Sequence, residues 1–409
     1  MSDSDRRVLI VTSGFPRWLG DVPGFFVFEL AQGLLRQGYR VTVLAPDDGS
    51  APKRETMHGV QVHRFSYFWP RRWQRVCYGS GIPDNLRHSR IAWIQFPFFV
   101  LCQLGALARL VRREHPHVIN AHWIITQGLN GAIVRKFIKS APPMVMTVHA
   151  AGVFALNRVL GGGILARFIV RQCHHVFSVS SYVRETLWAL AGREGKVSIV
   201  PMGINTAEFC IDRDPKQLRR SYNFPSGKML LYVGRLADKK GVNYLLEALP
   251  AVLGEIPEAY LAIVGEGHLK ADLQAQAERL GLKEHVHFMG AASHDQVICY
   301  LHMADLVVIP SIVDKMGQTE GMPVVLMEAL AAGKPTVASA VSGVCDALKD
   351  GENGFLVLPA ESAHLAHKIT EALNQDLGRI SAAAYATGQQ YDWERVIDRY
   401  EAVFESLVV

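Results

Sequence analysis

Two short stretches of this 409-residue chain carry side chains whose types and spacing could do chemistry. VGRLADKKG (233–241) delivers Arg235 at the end of a strand-like run and sets Lys240 and Gly241 at the start of a helical one. An arginine fork and a lysine point charge beside a helix N-terminus make an anion site, best suited to a diphosphate. TEGMPVVLMEALAAGKPTVAS (319–339) places Glu320 and Glu328 eight positions apart around Pro323. Pro323 reads as the first helical residue, where its missing N–H costs nothing. The amides near Gly321, Met322 and Val324 then lie at a second helix N-terminus, open to phosphate or sugar oxygens. Glu320 falls in the loop ahead of that helix and Glu328 inside it, so the two need not share one substrate atom. A carboxylate accepts two hydroxyls, and vicinal diols are what sugars and riboses present. One carboxylate therefore suits a sugar ring and the other a ribose. Taken singly, each of these residues also has a structural reading, as a solvated loop cation, a helix-dipole partner or an exposed helix position.

Alternating elements must position these groups. RRVLIVTSGF, YRVTVLAP, HPHVINAHW, MVMTVHA and HHVFSVS read as strands, with helices over FFVFELAQGLLRQG, 127–139 and 164–173, and SIVPMGIN closes the first half. The second half restarts the alternation with MLLYVGRL, AYLAIVGEG, HVHFMG, DLVVIPS, KPTVAS and NGFLVLP as strands. An amphipathic helix, DWERVIDRYEAVFESL (392–407), follows. Strands alternating with crossover helices predict an α/β fold of two Rossmann-like, doubly wound domains with ligands at the strand ends and the loop edges facing a cleft. The expected domains are 1–205, 206–390 and a closing helical segment, 391–409, packing back toward the first domain.

A hydrophobic content of 49% over this length also exceeds what one core holds, since single cores stop growing near roughly 250–300 residues. The net charge of +5 hides an asymmetry: residues 1–205 carry 25 Lys and Arg against 11 Asp and Glu, a balance of +14, and the remainder 18 against 27, or −9. A basic half beside an acidic one suggests an anionic partner for the first half alone, a membrane surface, a lipid phosphate or a polyanion, as against a scattered arginine excess on a solvated face. The six cysteines are scattered, with no CxxC and no neighbouring His at ligand spacing, as expected of reduced cytosolic thiols rather than a disulfide frame or zinc site. No secretory signal is evident in MSDSDRRVLIVTSGF. IAWIQFPFFVLCQLGALA (91–108) is free of charge and touches the lower edge of the spanning range of ~17–25 residues. Pro97, Gln95, Gln103 and Arg109 argue instead for a strand or turn leading into a buried helix.

In combination and order, the motifs resemble the GT-B retaining glycosyltransferases of the family 4 type, which include bacterial mannosyltransferases and sucrose synthases. The resemblance spans almost the whole chain. It rests on FPRWLGDVPGFF, AHW, TVHA, GRLADKKG, GEG, PS, the Glu320-to-Glu328 pair and SGVCDALKDGENGFLV. It implies that Arg235 and Lys240 clamp the donor diphosphate, Glu328 holds the ribose hydroxyls, and Glu320 holds the donor sugar with the Gly321, Met322 and Val324 amides. It further implies that His149 faces the transferred sugar, and that Gly20 and Gly24 form a flexible loop near the donor phosphates or acceptor. The chain departs from the pattern at EGMPVVLME, where EGFG is commoner, at VCDA, which leaves Asp346 in place of a glutamate, and at DKMGQ, which lengthens the loop before Thr319.

The activity so implied is transfer of a hexosyl unit from a nucleotide-diphosphate sugar, with retention and without a metal, to a lipid-linked acceptor, oligosaccharide or polysaccharide intermediate of the cell envelope. The nucleotide sugar is a substrate, and no cofactor, metal or nucleic acid is expected. Two other readings are a non-hydrolysing nucleotide-sugar epimerase and a catalytically silent nucleotide-sugar-binding protein. GEGHLK lacks the third glycine of a dinucleotide fingerprint, and Asp212-Arg213-Asp214 imitates a metal-binding DxD without a preceding strand. Finally, 64–83 interleaves arginines with aromatics. Arg71, Arg72, Trp73 and Arg75 suit a lipid headgroup boundary, and imply a cytoplasmic protein peripheral on the inner face of the membrane. The competing reading is a loop with buried aromatics.

Overall fold

The computed structural model describes residues 6–79, 81–193, 195–211, 214–315 and 317–407. The chain divides into two compact units, Met1–Gly203 with Trp393–Val409, and Ile204–Asp392.

In the first unit, apolar β-branched runs form β1 (Arg7–Val11), β2 (Arg40–Pro46), β3 (Arg54–Met57), β4 (Val60–Phe65), β5 (Val118–His122), β6 (Met144–Val148), β7 (His175–Ser178) and β8 (Val197–Ile199). They lie in the order β3-β4-β2-β1-β5-β6-β7-β8. β5 and β6 are buried along their whole length, as strands covered by helices on both faces must be. All pairings are parallel except β3 with β4, a hairpin the alternation did not reveal. Its two-residue turn, His58-Gly59, has φ of 47° and 88°, the left-handed pair a tight hairpin requires. Histidine in place of the usual Asn or Asp, and the charged RETM, concealed it.

The helix Trp393–Glu405 belongs to this unit. Trp393, Val396, Ile397, Tyr400 and Phe404, spaced as one helical face, enter the core beside the helix Phe25–Arg36. Contact is close enough that a Cβ on Gly33 would fall 1.6 Å from Ile397 Cδ1.

The 91–108 segment departs from expectation. It forms neither strand nor buried helix but part of one unbroken helix, Arg90–Glu114, with Pro97 inside it and most of its apolar window facing solvent. Pro97 is tolerated because it is exposed, where the carbonyl it leaves unpaired can be hydrated.

The second unit holds β9 (Met229–Val233), β10 (Tyr260–Val264), β11 (Val286–Gly290), β12 (Leu306–Ile309), β13 (Thr336–Ser339) and β14 (Phe355–Val357). They run parallel in the order β11-β10-β9-β12-β13-β14. Strand order reverses between β9 and β12, and in the first unit between β1 and β5. Chains leave in opposite directions at such points and open a crevice at the carboxyl ends of the strands.

Candidate functional site

In the second unit both stretches singled out from the sequence arrive at that reversal. Beyond β9 the chain passes Gly234 and Arg235, makes a single turn at Asp238–Lys240, and enters the helix Val242–Glu255 through Gly241 at φ 64°. Beyond β12 it runs from Ser311 through Glu320 to the helix Val324–Ala331. Direct contact joins the two loops: the Ile312 amide donates to Lys239 O at 2.9 Å. A side chain on Gly241 would place its Cβ 2.0 Å from Pro310 O, so glycine is demanded both by φ and by the approach of the other loop.

The glycines of GEG serve the same packing. Cβ atoms on Gly265 and Gly267 would lie 1.9 Å from Gly234 O and 2.1 Å from Leu236 O. Backbone bonds from Gly234 N to Val264 O and from Leu236 N to Glu266 O, each 2.9 Å, complete the seam. GEG thus braces the loop that carries Arg235, whose side chain is exposed.

Glu320 is nearly buried, and two lysines converge on it: Lys239 Nζ stands 3.3 Å from Oε1 and Lys240 Nζ 3.3 Å from Oε2. Burial pushes the Glu320 carboxyl up, but Lys240 and Lys239 outweigh it and hold the group below its usual value, so it is ionised. Lys239 was not foreseen; adjacent lysines in a loop usually diverge, and only the turn at Asp238–Lys240 brings both ammoniums to one carboxylate. Glu328, the fifth residue of its helix, is perturbed the other way: burial raises it to about 6, with His294 opposing.

Ser311 Oγ and Thr319 Oγ1 are buried without a hydrogen-bond partner. Buried polar atoms are nearly always paired, and these two both stand in the loop after β12. Ser311 entered the sequence reading only within the PS motif and Thr319 only as the residue after DKMGQ, neither with a role; the signal available was a hydroxyl two residues after a buried strand and another immediately before the first carboxylate.

Pro323 is the residue that caps the helix, not its first turn, with φ −64° and ψ 123°. A proline followed directly by Val324 takes the extended conformation, and the helix begins one residue later than the sequence suggested. The Val324 and Val325 amides accordingly stand in the first turn, where the helix itself offers no acceptor. Gly321 is fixed from behind by Ser342 Oγ and the Gly343 amide, which donate to Gly321 O at 3.1 and 3.0 Å. Met322 is half-buried beside it. Within DKMGQ, Asp314 closes the loop on itself by accepting from the Gln318 amide at 2.8 Å; Met316 lies outside the described residues.

Asp212 and Arg213 of the DxD imitation also lie outside the described residues. Asp214 accepts from Lys216 N at 3.0 Å and caps the helix Pro215–Ser221, a structural task.

The first unit assembles its own cluster at the ends of β5 and β6. His149 follows β6 and packs against Trp123 (4.6 Å between ring centres), Phe26 (5.2 Å) and His122 (5.6 Å). Trp123 adopts φ 68°, uncommon for an aromatic, and this turns its ring onto His149. Burial lowers His149 to about 3 and holds His122 well below the ordinary histidine value, so both are neutral. Behind them a buried polar chain runs to the closing helix. His149 Nε2 lies 3.4 Å from His122 Nδ1, and His122 Nε2 3.4 Å from Asn120 Nδ2. Thr147 Oγ1 donates to Asn120 Oδ1 at 3.2 Å and meets Tyr400 OH at 3.1 Å.

In the loop after β1, Gly24 has φ 73° and its missing Cβ leaves room for Gly14 O, 2.1 Å from where it would stand. Gly20, at φ 86°, sits at the exposed tip. Arg17 ties the loop down, donating to Asp21 through Nε at 2.6 Å and NH2 at 3.0 Å, and to Asp48 through NH1 at 2.7 Å. The flexible glycine loop expected from the sequence is in this structure a closed one.

Arg71 proves to be structural. It donates to Asp47 through Nε at 2.6 Å and NH2 at 2.8 Å. Burial would raise Asp47, but Arg71, Ser66 and the Gly49 amide bring it down to about 2. Arg64, Phe65 and Tyr67 are buried too, whereas Trp69, Arg72, Trp73 and Arg75 are exposed.

Residues 24–208 match the family model described as Glycosyltransferase Family 4, and residues 214–389 that described as Glycosyl transferases group 1. The phosphatidyl-myo-inositol mannosyltransferase of Mycobacterium leprae is 31% identical, over 95% of this chain and 94% of its own. The glycogen synthase of Mycobacterium tuberculosis is 28% identical over 95% and 92%. Among solved structures, Anabaena Alr3699/HepE in complex with UDP-glucose superposes with a TM-score of 0.71 at 20% identity, over 98% of this chain and 100% of its own. The chain belongs to the GT4-type glycosyltransferases of the GT-B fold.

Proposed function

We propose that this glycosyltransferase moves a hexosyl unit from a nucleotide-diphosphate sugar to a lipid-linked acceptor or polysaccharide intermediate of the cell envelope, with retention at the anomeric carbon and no metal ion. The observation that carries the donor assignment is the two buried, unpartnered hydroxyls of Ser311 and Thr319, beside the Glu320 carboxylate, its two lysines and a helix N-terminus. A ligand rich in hydroxyls and negative charge satisfies all of them. The mannosyltransferase relative and the UDP-glucose complex of the solved neighbour support a nucleotide-sugar donor and an envelope acceptor.

In this reading Arg235, Lys240 and the amides of Met322 and Val324 receive the diphosphate, where negative charge grows as the bond from C1 to the phosphate oxygen breaks. Glu328 accepts from the ribose hydroxyls. Glu320, kept ionised by its lysines, accepts from the donor sugar, with Gly321 beside it. His149 contributes a neutral imidazole as a hydrogen-bonding group for the sugar. The acceptor oxygen forms its bond to C1 on the face the diphosphate leaves, and its proton passes to a leaving phosphate oxygen, so no side-chain nucleophile is needed.

The test is a panel of nucleotide sugars scored by thermal stabilisation and by transfer, on the wild type and on Arg235→Ala and Lys240→Ala. Each substitution should weaken nucleotide sugar and free nucleoside diphosphate alike by about 2–4 kcal/mol, the loss expected for a desolvated charged contact. Turnover should persist in EDTA. Unchanged affinity in both variants would remove the diphosphate assignment, and isomerised donor without transfer would replace the reaction with epimerisation.

A further inference from the structure

The helix Arg90–Glu114 is apolar on both of its sides. The side packed on the first unit includes Gln95 and Gln103, both fully buried. The side facing solvent carries Ile91, Trp93 (61% exposed), Ile94 (65%), Phe98 and Leu101 (63%). Ile91, Ile94, Phe98 and Leu101 follow one another at intervals of three and four and form a stripe about 15 Å long. Single exposed apolar residues are ordinary, but a contiguous stripe marks a surface that water is not meant to cover.

Gln95 shows what shares this surface. Its Nε2 donates to Trp73 O at 2.8 Å and its Oε1 accepts from the Arg75 amide at 2.9 Å, pinning the Trp69–Arg75 segment to the helix. Trp69 (85% exposed) and Trp73 thus stand beside the stripe, together with Arg72 and Arg75. Arg90 stands at the stripe's start, and Arg109 and Arg112 lie beyond its end. Among the described residues none of these five arginines makes an ion pair. Trp69, Pro70 and Arg72 also line a shallow depression of about 690 Å³ with Lys53.

We propose that the first unit docks on an anionic lipid bilayer through the outward side of Arg90–Glu114 and the Trp69–Arg75 segment. The apolar stripe enters the acyl boundary, the tryptophans sit at headgroup level, and the arginines meet lipid phosphates. The +14 balance of residues 1–205 complements such a surface. The helix lies on the bilayer and does not span it, because Phe99, Gln103, Leu107 and Leu110 are committed to the protein. This docking stands apart from the transfer reaction, since binding is read without a donor or turnover.

The test is co-sedimentation of the intact protein with phosphatidylcholine vesicles, with and without phosphatidylglycerol, at low and high salt. The wild type should bind the anionic vesicles and lose binding as salt rises. A triple variant, Ile94→Ser with Phe98→Ser and Leu101→Ser, should bind about a hundredfold more weakly or worse, since each side chain forfeits most of its burial in lipid. Leu358→Ser, an exposed residue of the second unit, should bind as the wild type does. In case the triple variant misfolds, brominated lipid supplies a second readout: it should quench wild-type tryptophan emission and quench Trp93→Phe less. No vesicle binding by the wild type, equal binding by a folded triple variant, or equal quenching in Trp93→Phe would each overturn the proposal. So would a dimer in sedimentation velocity that the triple variant abolishes, which would assign the face to a second copy of the chain.

Discussion

Replacing Glu328 with glutamine should stabilise the free protein and weaken its hold on nucleotide, and the size of the first effect follows from the site. Burial displaces this carboxyl from the usual 4.5 to about 6. His294, which opposes this shift, is itself engaged with Glu208 at 2.8 Å. Because the folded state holds the proton more tightly than the unfolded one, stability falls as pH rises from 4.5 through 6, and the whole cost is present above that window. At about 1.4 kcal/mol per pH unit the displacement amounts to about 2 kcal/mol. Glu328→Gln removes that cost, so its melting temperature should exceed the wild type's by about 4–8 °C at pH 8 for a unit of this size. Below pH 4.5 the two should coincide. If the carboxylate holds a ribose diol, the same change should weaken nucleoside diphosphate binding by about 1.5–3 kcal/mol. Wild-type affinity should also fall as pH drops below about 6. Thermal unfolding across pH and calorimetry with nucleoside diphosphate measure both. A gain that does not vary with pH would show that buried charge is not its origin, and undiminished nucleotide affinity would take Glu328 out of the donor site.

Glu320→Ala should leave free nucleoside diphosphate binding intact or tighter, because Lys239 and Lys240 lose the carboxylate they share, while transfer falls steeply; a loss of nucleotide affinity matching that of Glu328→Gln would refute the division between sugar and ribose. Gly265→Ala should cost at least about 2 kcal/mol of stability, since φ 144° and the contact with Gly234 O are both closed to a side chain, and denaturant unfolding that shows no loss would remove the bracing role assigned to GEG.

The alternation of apolar strands with helical patterns was enough to announce two doubly wound sheets, because strands buried on both faces read as continuous β-branched runs, as VLIV, VIN and VVI do here. Arg235 and Lys240 were legible for a related reason, since they sit just beyond such a run, and Glu320 and Glu328 because they flank the start of the helix that follows β12. What escaped notice depends on atoms that sequence spacing does not encode. That Lys239 joins Lys240 on Glu320 follows from a single tight turn, and that Ser311 and Thr319 are unpartnered follows from how the loop after β12 closes. The helix Arg90–Glu114 departs from expectation because it is apolar outside as well as inside, with Gln95 and Gln103 set among the apolar residues of its inner side. Arg71 looked like its neighbours in sequence until Asp47, buried at the end of β2, claimed its guanidinium.

Chain order also bears on how the molecule is made. The core of the first unit is closed by Trp393, Ile397, Tyr400 and Phe404, which a ribosome delivers after every residue of the second unit. A nascent chain therefore can complete the later-encoded unit first, and the usual amino-to-carboxyl succession of domain folding is inverted. Until the helix Trp393–Glu405 emerges, the helix Phe25–Arg36 presents an uncovered apolar flank. A chain interrupted before Trp393 should carry a second unit that folds and a first that is cleared by proteolysis.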